Sequence, residues 1–398
     1  MTSASGNPLH VAALFGVTLL YIGGCATVAE PPGTHAEPEP TPTAAAPAAE
    51  EPPDPELQRL EALAAERITV AAVGDMMLGT DYPRNHLPDD DGVGFLEGVA
   101  PILRAADIAF GNLEGVLLDG GEPAKQCSNP AACYLFRSPS RYVEHFRNAG
   151  FDVLSLANNH ARDFGEEGRL ASMQTLAQAG IRHSGLAGDF ASFEVRGVRV
   201  AVMAYAVTKN SNMMLDYELA RETVADYADR HDIVIVSFHG GAEGRDVTRL
   251  PFTEEEYFGE PRGDVVKFAR MMVDAGADLV LGHGPHVVRA IERFEDRLIA
   301  YSLGNFATYY GISVDGIKGI APILEVTLDG HGRFIEGKIH STIQLRPDGP
   351  SLDPGQRALN LLRDLSIQDF GLPGVEFRDD GTLVPAARGV RLPFSTID

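Results

Sequence analysis

The sequence predicts an α/β fold in which two β-sheets pack face to face with helices outside each. Two observations predict it. Between residues 68 and 180, short apolar, β-rich runs alternate with segments of helical period that carry helix caps. From residue 191 onward, paired apolar runs joined by tight turns interrupt that alternation, as antiparallel hairpins do. A single parallel sheet accounts for the first half and not the second.

In chain order, "LQRLEALAAER" (57–67) is a helical lead-in and "ITVAAVG" (68–74) a buried strand. "GFLEGVAPILRAA" (94–106) has helical period, and "DIAFGN" (107–112) is a strand. "SPSRYVEHFRNAG" (138–150) is a helix with a serine cap and a terminal glycine, and "FDVLSLA" (151–157) the next strand. "EEGRLASMQTLAQAG" (166–180) is a helix that stops on glycine. "ASFEVRGVRVAVMAYAV" (191–207) changes the rhythm, with two strands turning about Arg196 and Gly197. Helix and strand return in "EYFGEPRGDVVKFARMMVDAGADLVLGHG" (256–284). Hairpins follow in "VVRAIERFEDRLIAYSLGNF" (287–306) and "ILEVTLDGHGRFIEGKIHSTIQL" (323–345). One late helix lies within 346–366, and the tail beyond it gives no reading.

With 398 residues, 44% of them hydrophobic, the chain is long enough for one large α/β domain or two ordinary ones, with a sizeable core. Its formal charge of -23 argues against nucleic acid as a partner. An anionic polymer would need a locally basic or metal-bearing site on such a surface.

The first 25 residues form an expected export segment. "VAALFGVTLLYIGGC" (11–25) has the length of a signal-peptide core, and "IGGC" resembles a bacterial lipoprotein cleavage box with Cys25 as the lipid-bearing residue. The leading "MTSASGNPLH" lacks the basic residues of such a signal, so an uncleaved anchor stays open. Residues 26–66, rich in Pro, Ala and Glu as far as 56, are expected to be a disordered tether. The folded domain is expected at 67–346 with an extension at 347–398. The predicted location is the cell envelope, with the domain facing the periplasm or the cell exterior. Cys127 and Cys133 flank a short proline-containing loop, and in an exported protein a disulfide is the favoured reading.

Five segments place polar residues directly after predicted strands: Asp75 in "VGDMMLG", Asn112 and Glu114 in "GNLEG", Asn158, Asn159, His160 and Asp163 in "LANNHARDFG", His239 and Glu243 in "HGGAEG", and His283 and His286 in "GHGPH". Singly, each has a bland reading as a helix cap, a turn residue or a hydrogen-bonded histidine. Together they occupy equivalent places, where the loops at the carboxyl ends of strands form a ligand crevice. Carboxylates, an amide and imidazoles are the ligand set of Mn, Zn or Fe.

These motifs in this order, with "YSLGNF" after them, resemble the poly-γ-glutamate capsule biosynthesis (CapA-type) family, itself related to calcineurin-like metallophosphoesterases. The resemblance covers residues 68–345 and implies a four-layer α/β/β/α sandwich. It implies Asp75, Glu114, Asn159, His239, His283 and His286 as metal ligands, and His160, oriented by Asp163, as a catalytic group. Asn112, Glu243 and Asn305 complete the candidate set as substrate contacts. Met77 stands where phosphoesterases of this fold carry a histidine, and Gly284-Pro285 widens the spacing of the last two. One divalent ion, with a second held weakly at most, is therefore expected. Gly240 replaces an aromatic common in the closer family, Gly284 a histidine and Arg289 a glutamine, changes expected to alter the pocket.

The function implied is capsule biosynthesis at a membrane, on an anionic polymer or phosphorylated substrate and in company with a capsule-synthase membrane complex. A periplasmic phosphoesterase and a non-catalytic assembly factor are the alternatives. A polymer-binding role would need a basic patch, for which "RDVTR" (245–249) and Arg289 are candidates, expected to be ordinary solvated arginines.

Overall fold

The structure, a computed structural model, describes residues 54–125 and 133–386. The candidate export segment with Cys25, residues 26–53 of the expected tether, and Cys127 lie outside these residues, whereas 54–66 of that tether are described and carry a helix. Among the described residues no helix is long and apolar enough to cross a membrane.

The chain begins with α1 (Pro55–Ala65), β1 (Arg67–Met77), the single turn α2 (Ala100–Leu103) and β2 (Ile108–Leu113). Next come β3 (Val116–Leu117), β4 (Arg137–Ser138), α3 (Val143–Ala149), β5 (Val153–Ser155), α4 (Gly165–Gln178) and β6 (Arg182–Ser184). The second sheet opens with β7 (Ala191–Val195) and β8 (Val198–Ala206), then α5 (Tyr217–Ala228) and β9 (Ile233–His239). A small hairpin, β10 (Glu255–Tyr257) and β11 (Glu260–Gly263), precedes α6 (Val265–Asp274) and β12 (Leu279–His283). β13 (Val288–Phe294), β14 (Arg297–Leu303), β15 (Asn305–Thr308), β16 (Ile320–Asp329) and β17 (Phe334–Gln344) follow. β18 (Pro350–Leu352), α7 (Arg357–Phe370), β19 (Val375–Phe377) and β20 (Thr382–Pro385) end the described chain.

The larger sheet runs β19-β20-β17-β16-β1-β2-β5-β6, with β15 on β1 and β18 on β17, and the smaller runs β13-β14-β12-β9-β8-β7. β1, β2, β5 and β6 are parallel, as are β8, β9, β12 and β14. β1 shows why two sheets are needed. Ile68, Val70 and Ala72 face one core together with Val200, Val234 and Leu279 of the smaller sheet. Ala71 and Val73 face a second core with Leu103, Phe146 and Leu176 of the outer helices. A strand apolar on both faces is stable only when both are covered, each buried valine contributing about 1.5–3 kcal/mol. On the far side, α6 sets Phe268 against Tyr205 and Phe238 of the smaller sheet. The result is the four-layer α/β/β/α sandwich. α7 bridges the two sheets: Leu359 N–H donates to Ser341 of β17, and Ser366 accepts from Ile291 N–H of β13.

Several local readings change. The helix expected at 94–106 is reduced to α2, because the Asp90 carboxylate accepts from the N–H groups of Gly92 and Gly94 and draws the preceding stretch into turns. Ser138 does not cap a helix; it ends β4 and donates to Gly79 O at 2.6 Å, since a residue before proline is held extended. α3 does end on Gly150, at φ 99°. The turn at Arg196-Gly197 takes φ values of 48° and 82°, the two positive angles of a tight hairpin. The unread tail supplies β19 and β20, which extend the larger sheet beyond β17. The lead-in α1 is latched to the domain by Arg59, whose Nη2 lies 2.8 Å from Asp232 Oδ1, and by the buried Leu63.

Candidate metal centre

The parallel strands bring the five polar loops to one end of the sandwich. Register places Asp75 beside Asn112 of β2 and Asn305 of β15, and His239 of β9 beside His283 of β12. β1 slips register on both sides of Asp75, a bulge of the kind that re-aims a side chain.

The carboxylate of Asp75 is fully buried and contacts both late histidines: His283 Nδ1 lies 3.4 Å from Oδ1, and His286 Nδ1 lies 3.0 Å from Oδ2. Asn112 Nδ2 donates to Oδ1 at 2.9 Å, and Asn158 Nδ2 donates to Asn112 Oδ1 at 3.1 Å. His286 Nδ1 also faces Asn305 Oδ1 at 2.9 Å. Glu114 Oε1 lies 2.8 Å from His239 Nε2. Asp75, Glu114 and His286 each offer a ligand atom within 4.8 Å of the others.

The "GHGPH" turn builds half of this cluster. Gly284 sits at φ 114° and His286, unusually for a side chain with Cβ, at φ 59°. Strain of this kind gathers at functional sites. Gly282 leaves no room for a side chain, since a Cβ there would come within 2.2 Å of Tyr301 O.

Electrostatics favour a cation at this place. Burial opposes charge on His286, but Glu114, Asp75 and Glu243 outweigh it and push the imidazole up to about 10. Burial and the neighbouring Asp75 charge push Glu114 up. Asp75 stays well below the usual carboxylate range despite its burial, because the imidazoles of His283 and His286 both face it. Burial depresses His239. Glu114 Oε2, Asn159 Oδ1, His239 Nδ1 and both ring nitrogens of His283 are buried without a hydrogen-bond partner. Buried polar atoms seldom lack partners. Hard and borderline donors left open around convergent carboxylates fit a divalent metal.

Beside the cluster stands the other predicted pair. Asp163 Oδ2 lies 2.8 Å from His160 Nδ1 and accepts Phe136 N–H at 2.8 Å. Two residues that the sequence did not flag complete this side. Lys125 Nζ lies 3.2 Å from Asp163 Oδ1 and 3.5 Å from His160 Nδ1, and the Phe136 ring packs on His160 with centroids 4.2 Å apart. Neither follows a predicted strand, and both flank the cysteine loop. Cys133 is disulfide-bonded.

Glu243 approaches from the smaller sheet, with Oε2 at 3.8 Å from His286 Nε2 and Oε1 at 2.8 Å from Arg262 Nη2. Arg289 is not a solvated arginine. It is fully buried, and its Nη1 and Nη2 bond the two oxygens of Glu255 at 2.8 Å each. A buried guanidinium is tolerable only when paired in this way. Arg245 and Arg249 are exposed, and Arg249 bonds Asp369, so 245–249 is no free basic patch. Nor does Gly240 open the pocket, because Met214 Sδ would lie 2.6 Å from a Cβ built there.

A model of the family described as "Bacterial capsule synthesis protein PGA_cap" matches residues 69–310. The chain is 28% identical over 287 residues to the capsule biosynthesis protein CapA of Bacillus anthracis, covering 63% of this chain and 63% of that one. It is 28% identical over 256 residues to the PGA biosynthesis protein CapA of Bacillus subtilis (strain 168), covering 60% of this chain and 63% of the relative. It thus spans 63% of the length of these curated relatives. Among solved structures, a hypothetical protein from Thermus thermophilus shares 16% identity at a TM-score of 0.44, covering 70% of this chain and 100% of its own. The family match takes in all five strand-end loops and more than half of the sequence, and the chain belongs to the bacterial capsule synthesis protein PGA_cap family.

Proposed function

We propose that the chain is an exported, membrane-tethered protein of poly-γ-glutamate-type capsule biosynthesis, with a metal-dependent hydrolase site for an anionic polymer or a phosphorylated substrate. The observation that carries the metal is the convergence of Asp75, Glu114 and His286 within 4.8 Å, fully buried or nearly so, beside partnerless donor atoms. Family membership supports the capsule, and the segment ending in Cys25 supports the tether.

Asp75, Glu114, Asn159, His239, His283 and His286 would hold one Mn, Zn or Fe ion, a second binding weakly at most. The bound metal would polarise a phosphoryl or acyl oxygen and make water a nucleophile near neutral pH. Asn112 and Asn305 fix Asp75 and His286 through the hydrogen bonds described. Asp163 holds His160 by Nδ1, which leaves Nε2 to pass a proton to the departing group. The Phe136 ring against His160 keeps water from that face. A capsule-synthase membrane complex would supply the polymer, with lipid at Cys25 keeping the domain at the membrane.

The test is metal content by mass spectrometry of the full chain beside a His283→Ala/His286→Ala variant. Near-stoichiometric Mn, Zn or Fe, lost in the variant, is expected. Absence of metal from both after incubation with each ion would overturn the reading.

A further inference from the structure

Six arginines among the described residues have a buried guanidinium nitrogen without a hydrogen-bond partner, and only Arg262 has two, Nε and Nη1. Its side chain is 3% exposed. A guanidinium presents five donors in a rigid planar fork, and donors buried without acceptors are costly.

The place of Arg262 is fixed from three sides. Gly241 N–H, two residues beyond His239, donates to Arg262 O at 2.9 Å, so β11 is bonded to the end of β9. Glu243 holds Nη2 at 2.8 Å while its other oxygen faces His286. The Tyr257 ring lies 5.4 Å from the guanidinium carbon. The other nearby cations have their donors engaged. Arg289 is bound by Glu255 and by Val247 O, and Lys125 by Asp163. Of these three buried or bonded cations, Arg289, Lys125 and Arg262, only Arg262 keeps two donors without a partner.

We propose that Arg262 is the anion-binding residue of this site, one edge of its guanidinium, the second hydrogen of Nη2 with its unpartnered neighbour Nε or Nη1, taking oxygens of a phosphoryl or carboxylate group presented to the metal. The inference rests on the metal-site reading for the identity of the neighbouring cluster. Nε and Nη1 face opposite edges, and Nη2 has two hydrogens of which Glu243 takes one, so the other completes a planar fork that matches two oxygens of one anion. Glu243 is then a positioning residue: it locks the fork by Nη2 and leaves the remaining donors turned to the ligand. A chain of net charge -23 repels anions in general, so a local fixed cation decides where one settles. Both ligand sources share the same oxygen chemistry, one a phosphate ester, the other the side-chain carboxylates of a γ-linked glutamate polymer.

The experiment is calorimetric titration of the full chain, with and without Mn²⁺, using inorganic phosphate and a γ-linked glutamate hexamer as probes. Arg262→Met is expected to weaken the bound probe by at least about tenfold, and Arg262→Lys by about fivefold, because an ammonium restores charge without the fork. Phosphate binding alone assigns the phosphoryl source, and hexamer binding alone the carboxylate source. Wild type that binds neither probe, or an Arg262→Met variant with unchanged affinity, overturns the proposal. If Arg262→Met fails to fold by thermal melting, Arg262→Lys decides, and wild-type affinity in that variant overturns it. Metal content measured on the same samples separates the two readings. Metal retained with unchanged probe affinity sinks the role of Arg262 alone, whereas no metal in wild type sinks the metal site, and anion binding lost in Arg262→Met still upholds the arginine.

Discussion

His286 Nδ1 lies 3.0 Å from Asp75 Oδ2 across 211 positions of sequence. Asp75 belongs to the larger sheet and His286 follows a strand of the smaller, so this contact joins the two sheets at their shared end. A metal held there binds the folded state and not the unfolded chain. Free Mn²⁺ at a hundredfold its dissociation constant should therefore add about 2.7 kcal/mol of stability. Thermal unfolding with Mn²⁺ and with chelator measures this, and the shift should vanish in Asp75→Asn.

Asn112 has no contact with solvent and holds Asp75 by a 2.9 Å hydrogen bond. Asn112→Leu keeps the volume and removes the restraint. Metal affinity should fall about 10- to 100-fold, as for other groups that orient a ligand. Competition with a chelating dye reads the change.

Arg289 and Glu255 form a buried ion pair away from solvent. Arg289→Met alone strands a carboxylate in the interior and should cost about 3–5 kcal/mol in urea unfolding. Adding Glu255→Leu removes the stranded charge and should recover most of the loss.

Asp232 binds Arg199 and Arg59. Burial raises its pKa, but the hydrogen bonds from Arg199 and Arg59 prevail and hold it at about 2 against an ordinary 3.8. Its folded pKa is depressed, so its contribution to stability is present above pH 3.8 and lost as pH falls through about 2. The stability difference between wild type and Asp232→Asn should be constant near neutrality and shrink across that acid window. Chemical unfolding at a series of pH values checks it.

Much of the fold was legible because both sheets are built on short runs apolar on two faces, such as 68–74 and 233–238, and because Arg196-Gly197 is a recognisable turn. β19 and β20 were not, since their pairing depends on an edge of β17 that lies far earlier in the chain. At the site, Asp75, Glu114, His239, His283 and His286 stood out as polar residues at strand ends. Lys125, Phe136 and Arg262 did not, because a loop and a small hairpin carry them and only tertiary folding brings those to the cluster. Arg289 was misjudged for the same reason: its partner lies 34 positions away, and a charge inside an apolar run shows nothing of what satisfies it.

The smallness of Gly240 bears on how this pocket can be redesigned. A Cβ at that position would press on Met214 Sδ at 2.6 Å and on Arg262 O at 2.9 Å. An aromatic ring there would displace both the methionine and the hairpin whose arginine carries the spare donors. Glycine at 240, the methionine at 214 and the seated arginine at 262 are therefore sterically coupled. A ring placed at 240 would cost the arginine its present seat, and with it whatever ligand preference that seat confers.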